Sequence, residues 1–106
     1  MNFLLTRQAE QDLSDIWRYT YDKWGERQAD DYLHKLESCF NKIATGQLQL
    51  RDLLDHSTKI KFIRCEHHYI FLIIKHKPII IAVLHEKMDL LQRIKKRLTN
   101  KNPDAI

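Results

Sequence analysis

The sequence predicts an α+β protein: an N-terminal strand, an antiparallel helical hairpin packed on an antiparallel sheet, and a short basic C-terminal helix. Three observations predict it. Apolar residues recur at helical spacing from Arg7 to Thr45, interrupted once, at Gly25. From Lys59 to Leu84 the spacing shortens to two or the run becomes wholly apolar, as in HYIFLIIK and IIIAVL. After Leu84 helical spacing returns, now among arginines and lysines. A helical hairpin with an apolar stripe needs a sheet to bury it, and the strands supply one.

Each element has its own signal. Asn2 to Thr6 (NFLLT) reads as a strand, with Thr6 as N-cap of the first helix. That helix carries the stripe Ala9, Leu13, Ile16, Trp17, Tyr21 and Trp24, with Thr20 inside it; its other face carries Asp12, Asp15, Arg18, Tyr19 and Asp22. The Thr20 hydroxyl is expected to bond back to a carbonyl one turn earlier. Acidic residues in the first turns and Lys23 near the end suit the helix dipole. Gly25 stops the helix, as a left-handed cap. The second helix runs from about Glu26 to Thr45 with the stripe Ala29, Tyr32, Leu33, Leu36, Phe40, Ile43 and Ala44, and Gly46 closes it. So short a junction makes the two helices antiparallel neighbours. Gln47 to Thr58 reads as a connection holding at most one helical turn.

Three strands follow, Lys59–Cys65, His68–Lys75 and Ile79–Leu84, the last two joined as a hairpin through His76-Lys77-Pro78. The first strand is expected to join this meander at an edge or in the middle. Leu90, Leu91, Ile94 and Leu98 form the apolar side of the final helix, between Arg93, Lys95, Lys96 and Arg97. The reading is one domain over 1–99 with a frayed tail over 100–106. The sheet face opposite the hairpin is left for the final helix or for a partner.

Composition narrows the function. The chain has 106 residues, 43% hydrophobic and 30% charged, as an ordinary globular domain has. The N-terminus MNFLLTRQAEQDL forms no apolar leader, and the longest apolar runs are too short to span a bilayer, so a cytoplasmic protein is expected. Cys39 and Cys65 fit no metal spacing and read as two buried, reduced thiols. Net charge is +4, but residues 1–58 carry −3 and residues 59–106 carry +7. The basic half suggests an acidic polypeptide or a phosphate backbone as partner.

Catalytic motifs are missing: there is no P-loop, GxGxxG, HExxH or GxSxG. The serines Ser14, Ser38 and Ser57 occupy no strand-to-helix elbow. No histidine pair among His34, His56, His67, His68, His76 and His85 has chelating spacing, and no metal or other cofactor is expected. Metal-free phosphodiester cleavage would need Arg64, His68, His85 and Glu86 to converge, with Lys59 and Lys61 supplying charge. The simpler reading makes these ordinary strand residues. Trp17, Tyr21, Trp24 and Tyr32 read as core aromatics, while Tyr19 lies off the stripe and faces solvent or a partner.

Taken in order, Ala9, Asp12-Leu13, Ile16-Trp17, Tyr19, Trp24-Gly25, Gln28-Ala29, Tyr32, Leu36, His68-Tyr69-Ile70-Phe71 and Ile81-Ala82-Val83-Leu84-His85-Glu86-Lys87-Met88-Asp89 resemble the ParE branch of the RelE/ParE toxin superfamily over nearly the whole chain. The resemblance implies the same fold and the toxin role in a type II toxin–antitoxin system: a non-catalytic poison of DNA gyrase, neutralised by a ParD-like antitoxin. It implies antitoxin contacts through the hairpin and sheet, here Trp17, Tyr19, Trp24, Tyr32, Lys59, Lys61, Arg64 and His68. It implies target contacts near the C-terminus, here His85, Glu86, Lys87, Met88, Asp89, Arg93, Lys96 and Arg97. Two departures stand out. Thr58/Lys59-Ile60-Lys61 replaces the family's Gly-Leu-Arg, and Leu72 stands where tyrosine is common after the Phe71 position. The competing branch is that of ribosome-dependent mRNA endoribonucleases of the RelE/YoeB type. Glu86 after His85, with no tyrosine following, speaks against it.

Overall fold

The computed structural model describes residues 2–53 and 59–99; the expected tail over 100–106 and the end of the long connection lie outside the described residues. The elements are β1 (Leu4–Leu5), α1 (Arg7–Trp24), α2 (Glu26–Ala44), β2 (Arg51–Asp52), β3 (Lys61–Cys65), β4 (His68–Ile74), β5 (Pro78–His85) and α3 (Leu90–Thr99). One five-stranded sheet has the order β1-β5-β4-β3-β2. The meander β2 to β5 is antiparallel, and β1 joins its edge parallel to β5, so the sheet is mixed. Part of the expected connection is thus β2, an edge strand of two residues, and the structure shows no helical turn among the described residues of that stretch.

Local chemistry sets the helix ends. Thr6 is extended (φ −70°, ψ 162°), and its hydroxyl accepts the Ala9 amide at 3.1 Å. The Thr20 hydroxyl donates to the Ile16 carbonyl at 2.8 Å. Gly25 ends α1 and begins α2 as a single residue: its amide donates to the Tyr21 carbonyl at 2.8 Å, and its carbonyl accepts the Ala29 amide at 3.1 Å. Its backbone (φ 92°, ψ 175°) is not the expected left-handed cap but a conformation open essentially to glycine alone. The chain reverses in one residue because both bonds demand that geometry.

Two cores lie on opposite faces of the sheet. Under the hairpin, Phe3, Ala9, Leu36, Phe40, Ile43, Ile70, Leu72, Ile80 and Val83 are buried together. On the other face, Ile60, Phe71, Ile81, Ala82, Leu84 and Ile94 of α3 form a smaller cluster. The run IIIAVL serves both cores through a bulge. Ile80 pairs with Leu72 and Ala82 with Phe71, which leaves Ile81 without a partner across β4. Consecutive Ile81 and Ala82 therefore turn to the α3 side, while Ile80 and Val83 face the hairpin.

Three further expectations are corrected. Cys39 of α2 and Cys65 of β3 are joined as a disulfide, not left as reduced thiols, because the hairpin stripe sets the α2 cysteine over the end of β3 (Cα–Cα 6.7 Å). Tyr21 and Trp24 are not core: they are 46% and 58% exposed, since α1 outruns the sheet and its last turn has nothing beneath it. Asp12 and Arg97 are not surface residues. They form a bidentate pair (2.7 and 3.1 Å) with side chains only 12% and 21% exposed. Asp12 also accepts the Val83 amide at 2.9 Å, and Arg97 donates to the Ile81 carbonyl at 3.0 Å. The pair thus takes up peptide groups of β5 that β1, ending at Leu5, does not reach.

Candidate functional site

The β3–β4 turn, Glu66-His67, gathers the polar side chains at one end of the sheet. Glu66 has a positive φ of 56°, and its carbonyl accepts the Arg64 Nε–H at 3.1 Å. Tyr32 of α2 reaches this turn. Its hydroxyl accepts the His67 amide at 3.1 Å and lies 2.6 Å from His68 Nδ1. Burial, with His85 and His67 nearby, pushes the His68 pKa down to about 4, so its imidazole is neutral at pH 7. A neutral His68 with its proton on Nε2 can accept a hydrogen bond from the Tyr32 hydroxyl at Nδ1. Burial raises the Tyr32 phenol above its usual range, so it stays protonated and able to donate.

The other half of the site comes from β5. His85 lies opposite His68 in the ladder, with the rings edge to face at 5.1 Å. Its Nδ1 accepts the Lys87 amide at 3.1 Å. Glu86 bridges two basic side chains: one carboxylate oxygen is 2.6 Å from an Arg64 terminal nitrogen, the other 3.0 Å from His67 Nδ1. The His67 hydrogen bond, then the Arg64 charge, holds the Glu86 carboxyl below its ordinary range.

Arg64, His68, His85 and Glu86 therefore do converge. Lys61 does not join them: it pairs with Leu72 near the far end of β3 and binds Asp52 at 2.6 Å, with Lys59 beyond it. The cluster is largely closed on itself. Arg64 is occupied by Glu86 and the Glu66 carbonyl, and Tyr32 and His68 by each other. Among the described residues no group of three His, Cys, Asp or Glu is placed to hold a metal ion.

The remaining predicted residues fall into two surfaces. At the hairpin tip Tyr19 and Trp24 are exposed and meet edge to face at 6.4 Å. Trp17 stacks on Tyr21 at 5.1 Å and donates from Nε1 to Asp30 at 2.9 Å. Along α3 and the turn before it, Lys87, Met88, Asp89, Arg93 and Lys96 are exposed, with Leu91 beside them. Arg97 is turned inward to Asp12, so it offers nothing to a target. The two predicted contact sets are not separate patches; they meet where Arg64 touches Glu86 and His68 faces His85.

Sequence reasoning missed His67 and Asp12 as working residues. Adjacency to His68 and Glu66 was a faint signal for His67. Asp12 offered none, since its partner lies 85 positions away and an acid on the polar face of α1 reads as solvated.

The comparisons with known proteins agree with one another. Residues 3–90 match the model of the family described as the ParE toxin of type II toxin-antitoxin systems, parDE. The chain is 38% identical over 98 residues to Toxin ParE of Escherichia coli, covering 91% of this chain and 95% of that protein. It is 33% identical over 89 residues to Toxin ParE1 of Caulobacter vibrioides, covering 82% of this chain and 91% of that one. A chain from the solved chromosomal ParDE TA system of P. aeruginosa has the same fold (TM-score 0.69, 17% identity), covering 80% of this chain and 95% of that one. No helix among the described residues is long and apolar enough to cross a membrane. With its fold, and with the family model spanning all the strands and the helical hairpin, this chain belongs to the ParE toxin family of type II toxin–antitoxin systems.

Proposed function

We propose that this toxin acts in the cytoplasm by binding DNA gyrase, without catalysis, and is neutralised by a ParD-like antitoxin. The observation that carries the reading is the outer side of α3 and its approach. Lys87, Arg93, Lys95 and Lys96 stand exposed there beside Met88 and Leu91, which are 41% and 58% exposed, while Ile94 anchors the helix from below. Exposed apolar residues among cations, on a helix fixed by its other side, make a rigid surface for a protein partner. The ParDE solved structure, as a toxin–antitoxin system, supports an antitoxin partner. Because the antitoxin and target sets meet at Arg64–Glu86, an antitoxin bound to the turn would cover the edge of the target surface directly.

Deleting α3 is a poor test, since it would strip Ile94 from the smaller core and orphan Asp12. The better variant combines Met88→Ser, Leu91→Ser and Lys95→Glu, all at exposed positions. Purified, antitoxin-free toxin should inhibit gyrase supercoiling with accumulation of cleaved DNA, and the triple variant should lose at least about tenfold in potency while melting normally. Full potency in that variant would remove α3 from the target surface; no inhibition by the unaltered protein would remove gyrase.

One observation favours a second reading, mRNA cleavage: Arg64, His68 and His85 stand together. Against it, Glu86 neutralises the very cation that a phosphodiester would need. His85→Ala abolishing ribosome-dependent cleavage by a folded protein would establish the second reading.

A further inference from the structure

The β3–β4 turn is tied to α2 at three successive points on one helix face. Tyr32 bonds the His67 amide and His68. Lys35, about one turn on, pairs with Glu66 at 3.3 Å, and its carbonyl lies 3.8 Å from Cys65 Sγ. Cys39, one further turn on, is bonded to Cys65. The Lys35–Glu66 pair is well exposed (62% and 41%), so it holds little. The disulfide is the one covalent tie, and it fastens a turn whose Glu66 backbone is already in a sparsely populated conformation. Arg64, His67 and His68 all stand within three residues of Cys65.

We propose that the Cys39–Cys65 bond is a redox-controlled lock on the β3–β4 turn that sets how long the antitoxin stays bound. This rests on the reading of Tyr32, Arg64 and His68 as antitoxin contacts. A dithiol reductant opens the lock by exchange. Its thiolate attacks Sγ of Cys39, the half-buried partner, because Cys65 is only 5% exposed. The S–S bond breaks, its electron pair leaves on Cys65 Sγ, and that sulfur takes a proton. The second thiol of the reductant then displaces Cys39 as thiolate, which is protonated in turn. Two electrons and two protons reach the toxin, and the reductant departs as a disulfide. Oxidised glutathione reverses the exchange. Cellular dithiols keep most cytosolic thiols reduced, so a bond made and broken here reports redox state. A turn fixed before binding costs the antitoxin less ordering, so the oxidised toxin should hold it longer.

The test uses the full chain, oxidised, reduced with dithiothreitol, and as the Cys39→Ser/Cys65→Ser variant. In the isolated toxin, reduction should speed hydrogen exchange of the Glu66, His67 and His68 amides about tenfold and lower the melting temperature by about 10 °C. The double variant should match the reduced protein under both conditions. A ParD-like antitoxin should leave reduced toxin about tenfold faster than oxidised toxin. Unchanged exchange on reduction, or no disulfide by thiol titration after oxidation, would overturn the lock. Equal antitoxin off-rates with altered exchange would overturn its regulatory role. Antitoxin binding to neither form would strike the partner assignment instead, leaving the exchange data to decide on the lock.

Discussion

The hairpin face of the sheet lies under two helices of 18 and 19 residues, while the opposite face is covered by one helix of 10. The first is closed by depth: Leu36, Phe40, Ile70, Leu72 and Ile80 are fully buried between helix and sheet. The second is closed by one fully buried helical residue, Ile94, and by the Arg97–Asp12 pair that reaches round to α1. Cohesion is thus concentrated on the hairpin side, while the exposed cations of α3 stand on the other. Phe62 and Tyr69 remain only half-buried beside α3, with Arg51 over the Phe62 ring at 5.7 Å.

The contrast can be broken by substitution. Phe40→Ala should cost most, about 4 kcal/mol, and Ile94→Ala roughly 2–3 kcal/mol, both by urea denaturation; equal costs would erase the distinction between the faces. Asp12→Ala should cost about 3 kcal/mol, because it leaves Arg97 charged and unpaired in a nearly closed site. Asp12→Ala combined with Arg97→Met should recover part of that loss.

Acid probes the polar cluster at the β3–β4 turn. The folded pKa of His68 lies near 4, below its ordinary 6.5, so the unfolded chain binds the extra proton first as pH falls. Stability is therefore full above about pH 6.5 and declines towards pH 4, by up to about 2 kcal/mol once solvent screening is allowed for. Glu86, also shifted downward, adds loss in the same direction below its ordinary 4.5. His68→Phe should flatten the pH 4–6.5 portion of the stability curve. Tyr32→Phe should cost about 1 kcal/mol by leaving the buried His68 ring without its hydroxyl partner. Smallest is Trp24→Ala: under about 0.5 kcal/mol in stability, yet a weaker antitoxin complex by titration calorimetry.

Much of this could be read in the sequence because it is periodic. The stripe ending in Phe40 and Ile43, the alternation in β3 and the apolar runs of β4 and β5 each announce their partner layer. So do Thr6 and Thr20, whose bonds are local. What escaped depends on separation in sequence. Asp12 meets Arg97 and Cys39 meets Cys65 only through the tertiary fold, and no short window of sequence contains both partners. Tyr21 and Trp24 misled for the opposite reason: their spacing is right for burial, but the sheet ends before they do. Within the candidate site, the sequence offered His68 and His85 only as residues that strands could align, and the register that aligns them, like the closure of Arg64 by Glu86, is set by the fold.

The side-chain cover over β5 has one more consequence. An uncovered strand margin invites a neighbouring copy to zip onto it and propagate into aggregates. β1 shields only Ile79 and Ile80. Beyond them the Val83 amide is consumed by Asp12 and the Ile81 carbonyl by Arg97, at a bulge that already spoils a regular register. An ion pair that fastens α3 to α1 thus also denies the margin of the sheet to another chain.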